Sequence, residues 1–213
     1  MAEILPINFP LPAENSIASY DWTNIMSGLG FQTFYLGSLL TNSAVIYSIS
    51  PSAFIPYQTK FTKTSTNSGS YVKSIDLTFT SSVISSPRVI YGEALVNLAY
   101  AAYNNYLYWV VTLKKGADTI ATISTLEQNV NGVDLYSSFP LTIPKTSLKI
   151  GDTLTLAIEG WQKKTVGTAT DLVLIYDPLD RAINLGTMAS GGSGAVTSGH
   201  TSSKITIPFK LDL

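Results

Sequence analysis

From Phe31 onward the apolar residues fall in short runs or in alternation, the spacing of strands, and turn residues separate them. Residues 31–40 and 44–49 are apolar runs on either side of a Thr-Asn-Ser turn. Ile75, Leu77 and Phe79 alternate with Ser74, Asp76, Thr78 and Thr80, which predicts a strand with one buried face. Residues 88–100 carry Ala and Leu that would also suit a helix, and their β-rich neighbours favour a strand. Residues 106–113 are apolar on both faces and predict a central strand, followed by a turn at 114–118 and a return at 119–126. A turn at 149–152 precedes Leu154, Leu156 and Ile158, which alternate with Thr153, Thr155 and Glu159. Residues 172–176 form a continuous apolar run, hence a strand buried on both faces. Ile205, Ile207, Phe209, Leu211 and Leu213 alternate to the last residue.

The first dozen residues follow another pattern. Leu5, Ile7, Phe9 and Leu11 alternate with Pro6, Asn8, Pro10 and Pro12. In an extended strand, neighbouring residues turn their N–H groups to opposite edges, so all three prolines fall on one edge and the other keeps its donors. Such a segment is neither a helix nor a central strand, but it can pair along one side. Its apolar side chains are worth about 1.5–3 kcal/mol each on burial. This predicts an arm that docks through Leu5, Ile7, Phe9 and Leu11, on its own domain or on a neighbouring subunit. Ser19 or Asp21 as a cap, with Gly28 and Gly30 as stops, predicts one or two helical turns, the only helix expected. The sequence thus divides into an extended arm at 1–18, a short helix and linker at 19–30, and a β domain at 31–213. The expected fold class is all-β, a two-sheet antiparallel sandwich of jelly-roll type. A glycine- and serine-rich stretch at 186–199 predicts a long loop before the last strand.

Composition narrows the chemistry. Charged residues are 13% of the chain, against about 25% in an ordinary soluble domain, and the net charge is −1. No field favours nucleic acid or an anionic membrane, and little repulsion separates one copy from another. Twelve tyrosines fit a surface that meets partners. The absence of cysteine excludes disulfides and thiol chemistry. Residues 1–12 lack the basic start and apolar run of a secretory signal, no stretch reaches the length of an apolar membrane span, and assembly in a cytoplasm is expected.

The candidate chemical groups are few. His200 is the only histidine, and Ser193 stands nearby without the strand and helix that a nucleophile elbow needs. One histidine and no cysteine make a poor zinc site. Asp177 and Asp180, with Asp171 upstream, could hold calcium, but Asp-Pro also opens turns. Glu93, Glu127 and Glu159 read as outward positions on separate strands rather than a glycosidase pair. Gly28-Leu-Gly30 lacks a phosphate loop's third glycine. No catalytic residue, metal site or cofactor is expected, and the chain reads as a non-enzyme. Tyr100, Tyr103, Tyr106, Tyr108 and Trp109 form the densest aromatic cluster. Tyr106 and Tyr108 share one strand face, with Leu107 and Trp109 on the other. Tyr106, Tyr108 and Trp109 are candidates for a ligand or interface surface, with core or interface favoured over glycan stacking. Lys163 and Lys164 read as a solvated hairpin.

Four segments carry a family resemblance: Ser19-Tyr-Asp-Trp22, Gly30-Phe-Gln-Thr-Phe-Tyr-Leu-Gly37, Leu148-Lys-Ile-Gly-Asp-Thr-Leu-Thr-Leu156 and Tyr176-Asp-Pro178. Together they resemble jelly-roll virion proteins of tailed bacteriophages, especially accessory head and fibre-base proteins. The resemblance implies a capsid-bound protein, often trimeric, with no catalytic residues to carry over. The arm holds no Lys or Arg, which counts against nucleic-acid packaging. The expected role is a structural virion protein that decorates or cements a shell, with itself and other virion proteins as partners and neither nucleic acid nor membrane. The alternative is a carbohydrate-binding or adhesin domain.

Overall fold

Strands account for every regular element described. The computed structural model describes residues 18–19, 29–42, 44–66, 69–164, 169–188, 193–196 and 201–210. Thirteen strands follow in order: β1 (Ala18–Ser19), β2 (Leu29–Thr41), β3 (Ala44–Ser50), β4 (Lys60–Ser65), β5 (Val72–Ser81), β6 (Arg88–Lys115), β7 (Asp118–Ser124), β8 (Gln128–Leu148), β9 (Leu154–Lys164), β10 (Thr170–Ile175), β11 (Ile183–Thr187), β12 (Ser193–Val196) and β13 (Lys204–Lys210). The protein is all-β, as its patterning predicts. No helix occurs among the described residues. Ser19 pairs in β1 and Leu29 opens β2, while the span expected to be helical, 20–28, lies outside the described residues. The arm residues Leu5, Ile7, Phe9 and Leu11 lie outside them as well.

The pairings close a circuit. β6 pairs β13, β13 pairs β2, β2 pairs β3, β3 pairs β5, β5 pairs β9, and β9 returns to β6. Every join is antiparallel except β3 with β5, where only Ser48↔Thr80 and Ile49↔Ser81 meet. One hydrophobic cluster draws side chains from each of these strands, among them Leu36, Ile49, Phe79, Val96, Trp109, Ile158 and Ile205.

The 28-residue strand β6 makes the circuit possible. The sequence pattern predicts two strands here, 88–100 and 106–113, whereas the chain runs straight through. Along one edge β6 meets β8 and then β7; along the other it meets β13, β10 and β9 in turn. Asn104, at φ 49°, sits inside the register shift between Ala102 and Asn105. Asn tolerates the left-handed region, so it serves where a bulge re-aims the strand from β10 toward β9. Gly92, at φ 112°, supplies a second bulge, and Pro208 of β13 packs against it. A proline inside a strand is tolerated where the ladder is already interrupted, as it is here between Thr206 and Phe209.

β10 is buried along its whole length, as its unbroken apolar run predicts. Leu172 and Leu174 join the main core. Val173 and Ile175 face a second cluster with Ala99, Ala101, Ile183, Leu185 and Met188. The cover is partly supplied by the small β11–β12 sheet, which occupies part of the stretch expected to be a long loop.

Candidate interaction surfaces

The first surface lies on β5, β9 and the second half of β6. Register pairs Tyr106 with Lys163, Tyr108 with Trp161 and Val110 with Glu159. Residues directly opposite in an antiparallel pair share a face, so Tyr106, Tyr108, Trp161, Lys163 and Glu159 line one outer face. Tyr71, just before β5, joins them. The Tyr108 and Trp161 rings are parallel to within 5°, with centroids 6.0 Å apart. Tyr71 meets Tyr108 edge-on at 5.0 Å. The Lys163 ammonium lies 4.8 Å from the Tyr71 ring centroid and 4.9 Å from that of Tyr106, a cation held between two π faces. Lys163 is therefore not the plain solvated residue that the sequence suggests. Trp161 Nε1 donates to Glu159 Oε2 at 2.9 Å, and Lys73 Nζ reaches Asp76 at 2.6 Å and Glu159 at 3.2 Å. Burial, and then the nearby Glu127 carboxylate, push the Tyr71 phenol well above the usual tyrosine range, although no hydrogen bond of good geometry joins the two groups.

The backing of this face is rigid. Gln162, pointing inward between Trp161 and Lys163, donates from Nε2 to Ser74 Oγ at 2.8 Å and accepts on Oε1 from Asn105 Nδ2 at 2.8 Å. Thr170 Oγ1 donates to Asn105 Oδ1 at 2.8 Å. This buried chain of amides and hydroxyls ties β5, β9, β6 and β10 together. Trp109, a sequence candidate for ligand or interface contact, is corrected to a core residue. It is 2% exposed and packs edge-on against Tyr100, because strand alternation sends it opposite to Tyr108.

The second surface is the β2–β3 hairpin. Leu39 pairs with Ile46 and Leu40 with Val45. Successive pairs alternate faces, so the tip is apolar on both sides. Leu40 is 50% exposed and Ile46 47%. Its base is clamped by the segment at 51–59. Tyr57 N donates to Ser38 O at 2.7 Å, and Ser38 Oγ bridges both backbone groups of Gln58 at 2.8 and 2.9 Å. Phe54 lies so close over Gly37 that a Cβ there would collide with its ring. This clamp sets Ile55, 73% exposed, and Tyr57, 55% exposed, beside the hairpin. Beyond β2, β3 is paired only at Ser48 and Ile49 among the described residues, which leaves the Ala44-Val-Ile-Tyr47 edge without a partner strand. Sequence reasoning found the hairpin but not its exposure, which depends on where the rest of the circuit ends.

The other candidates sit apart from both surfaces or serve the fold. Asp177 accepts from Arg181 Nε at 2.8 Å and Nη2 at 3.3 Å, and from the Leu179 N–H at 3.1 Å. Asp180 accepts from both the N–H and the hydroxyl of Thr201, at 2.9 and 2.8 Å. Asp171 accepts from Thr64 Oγ1 at 2.5 Å. These carboxylates anchor a turn and its neighbours, the reading that Asp-Pro suggests. Among the described residues no group of three or more His, Cys, Asp or Glu is placed to hold a metal ion. His200 lies outside the described residues; Ser193 opens β12. Glu93 and Glu159 lie on β6 and β9, and Glu127 lies between β7 and β8.

No family model and no curated protein matches this chain. Among solved structures, it is similar to an α-amino acid ester hydrolase at 12% identity, covering 84% of this chain and 36% of that one, with a TM-score of 0.56. An aminopeptidase from a marine sediment archaeon, Thaumarchaeota archaeon, matches at 9% identity over 86% and 37%, also with a TM-score of 0.56. The VP2 subviral particle of infectious bursal disease virus matches at 15% identity over 71% and 38%, with a TM-score of 0.29, too low to carry an argument. The chain spans little more than a third of the length of the two hydrolase chains. The likenesses to the two hydrolase chains show a shared fold. They overturn the expectation that the chain is a non-enzyme, which rested on a count of candidate groups: one histidine, no cysteine, no paired carboxylates and no phosphate loop. Such a count says nothing about the fold that carries the residues, and this fold occurs within hydrolases.

Proposed function

We propose that this chain is a structural virion protein, a β-sandwich of jelly-roll type that decorates or cements a shell through contacts with its own copies and with other shell chains. The observation that carries the reading is the β2–β3 tip. It combines exposed Leu39, Leu40 and Ile46 with an uncharged edge at Ala44-Val-Ile-Tyr47 that no described strand covers. Such an edge is a template for pairing with another chain. The amino-terminal sequence offers a complement, since its prolines leave one pairing edge, that of Leu5, Ile7, Phe9 and Leu11. The low charge content removes a barrier to close approach of copies. Light scattering on the purified chain tests this. The expected result is a defined oligomer, trimer favoured, that Leu40→Lys with Ile46→Lys converts to monomer while circular dichroism stays unchanged. A strict monomer at the highest concentration reached overturns the proposal.

A second reading is supported by the hydrolase neighbours: the chain as the β portion of an enzyme of that kind. Its test is hydrolysis of α-amino acid esters and aminoacyl anilides by the purified chain. Turnover that scales with protein concentration supports it, and none above the uncatalysed rate counts against it.

A further inference from the structure

We infer that the outer face of β5, β9 and the second half of β6 is a carbohydrate-binding platform for a neutral, pyranose-containing glycan. The inference is independent of the assembly role, because its residues lie on strands other than the β2–β3 tip.

The chemistry of the face selects the ligand. Tyr108 and Trp161, on register-paired positions, stack on each other with planes parallel to within 5°, so each turns one face to its partner and a ligand meets the outer faces and edges of the pair. Tyr71 stands edge-on beside Tyr108 as a wall. Aromatic rings gain most from an apolar partner with a flat, weakly polarised C–H surface, and a pyranose ring offers one. The same ligand carries hydroxyls around its edge, which need donors and acceptors together. Both stand here. Lys163 donates from its position between Tyr71 and Tyr106, with no carboxylate within ion-pair distance among the described residues. Glu127, exposed and close to Tyr71, accepts. Glu159 is already engaged by Lys73 and by the Trp161 indole, so it fixes the ring rather than meeting a ligand.

Two rival ligands fit less well. Nucleic-acid bases also stack on such rings, but single-strand binders track the phosphates with a positively charged groove. Here Lys73 is offset by Asp76 and Glu159, and among the described residues Lys163 is the one cation left on a face that also carries the Glu127 carboxylate near Tyr71. An acidic sugar meets that same balance, so the neutral class is favoured. The platform is also pre-formed: the buried Gln162–Asn105–Thr170 chain locks the strands beneath it, so ordering the rings on binding costs little.

The experiment is a glycan array followed by titration calorimetry of the full chain with the best neutral oligosaccharide. Uronate-bearing oligosaccharides and single-stranded DNA serve as comparison ligands. Saturable binding to a neutral glycan is expected. Tyr108→Ala and Trp161→Ala should each weaken it about tenfold or more, Lys163→Met should weaken it by a smaller factor, and Tyr108→Phe should leave it near the parent value because the ring does the work. Near-ultraviolet circular dichroism confirms that each variant keeps its fold. Absence of any neutral-glycan binding overturns the inference. So does stronger binding of DNA or uronates, or undiminished binding in folded Tyr108→Ala and Trp161→Ala.

Discussion

Gly160 is the position where the core and the aromatic face most directly constrain each other. It lies opposite Trp109 in the β6–β9 pairing, between Glu159 and Trp161, and its α-carbon faces inward. A Cβ added there would stand 2.8 Å from Trp109 Cζ3, 2.9 Å from Leu172 Cδ2 and 3.2 Å from Ile75 Cβ. Carbon atoms in good contact sit about 3.5–4.0 Å apart, so the first two must each retreat by about 0.6–1.2 Å. Neither has room, since Trp109, Leu172 and Ile75 all lie in the packed core. Overpacking of a filled core costs about 1–3 kcal/mol, and three simultaneous contacts place Gly160→Ala in the upper part of that range. Alanine recovers about 0.5–1 kcal/mol of the entropy that glycine loses in a strand. The net expectation is a loss of about 1–2.5 kcal/mol, which for a chain of this size lowers Tm by about 2–10 °C. Urea unfolding followed by tryptophan fluorescence measures the first figure, and thermal circular dichroism the second. Leu172→Ala alone should cost about 2–5 kcal/mol. Combined with Gly160→Ala it should cost less than the sum, because the new methyl fills part of the space that leucine vacates. A Gly160→Ala protein as stable as the parent, or strict additivity in the double variant, would refute this account of the core.

Two further outcomes follow from groups beneath the surfaces. Gln162→Leu removes the acceptor of Asn105 Nδ2 and the donor to Ser74 Oγ, and should lower stability by about 1–3 kcal/mol in urea unfolding; no change would mean that the buried chain of hydrogen bonds contributes nothing. Burial raises the phenol pKa of Tyr100 and Tyr176 above the ordinary value, with the nearby Tyr47 adding to the rise at Tyr176 and a Ser137 hydrogen bond partly opposing it at Tyr100. Below about pH 10 both folded and unfolded chains keep these protons, so stability there is indifferent to them. Above it the unfolded chain releases protons that the folded one retains, so stability falls as pH rises. Absorbance at 295 nm should show some of the twelve tyrosines ionising only as the protein unfolds, and free titration of all twelve in the folded state would contradict that.

What the sequence revealed, and what it hid, follows physical lines. Strands with one buried face were legible because alternation is local, as at Ile75, Leu77 and Phe79 or Leu154, Leu156 and Ile158. β10 was legible as doubly buried, but not its cover, since Met188 comes from the 186–199 stretch whose glycines suggest only a loop, and Ile183 and Leu185 stand just before it. β8 escaped notice although Phe139, Leu141 and Ile143 alternate cleanly. Pro140 and Pro144 break that signal, and an edge strand tolerates them where a central one would not. β6 read as two strands because Asn104 and Asn105 look like a break, while in the fold they make a bulge. Of the aromatic face, Tyr106 and Tyr108 were legible. Tyr71, Trp161 and Lys163 were not, because their neighbourhood is set by register across strands far apart in sequence.

The treatment of strand edges separates the β2–β3 tip from the rest of the molecule. An open edge with apolar side chains invites association, and chains that must avoid it place prolines, lysines or polar residues there. β8 carries Pro140, Pro144 and Lys145 among its exposed positions. β4, beyond β10, carries Lys60 and Lys63. On β7 the exposed positions are Asp118, Thr119, Thr122 and Ser124, all polar. Among the described residues, exposed leucine and isoleucine, an uncovered edge and a lack of charge coincide only at 39–47. A fold that blunts β4, β7 and β8 and leaves the β3 edge uncharged and apolar has the asymmetry expected of a docking edge. General stickiness would leave several edges open. It follows that one pair of lysines at Leu40 and Ile46 should abolish association outright, whereas the same pair of charges on the exposed positions of β7 should leave the oligomer intact.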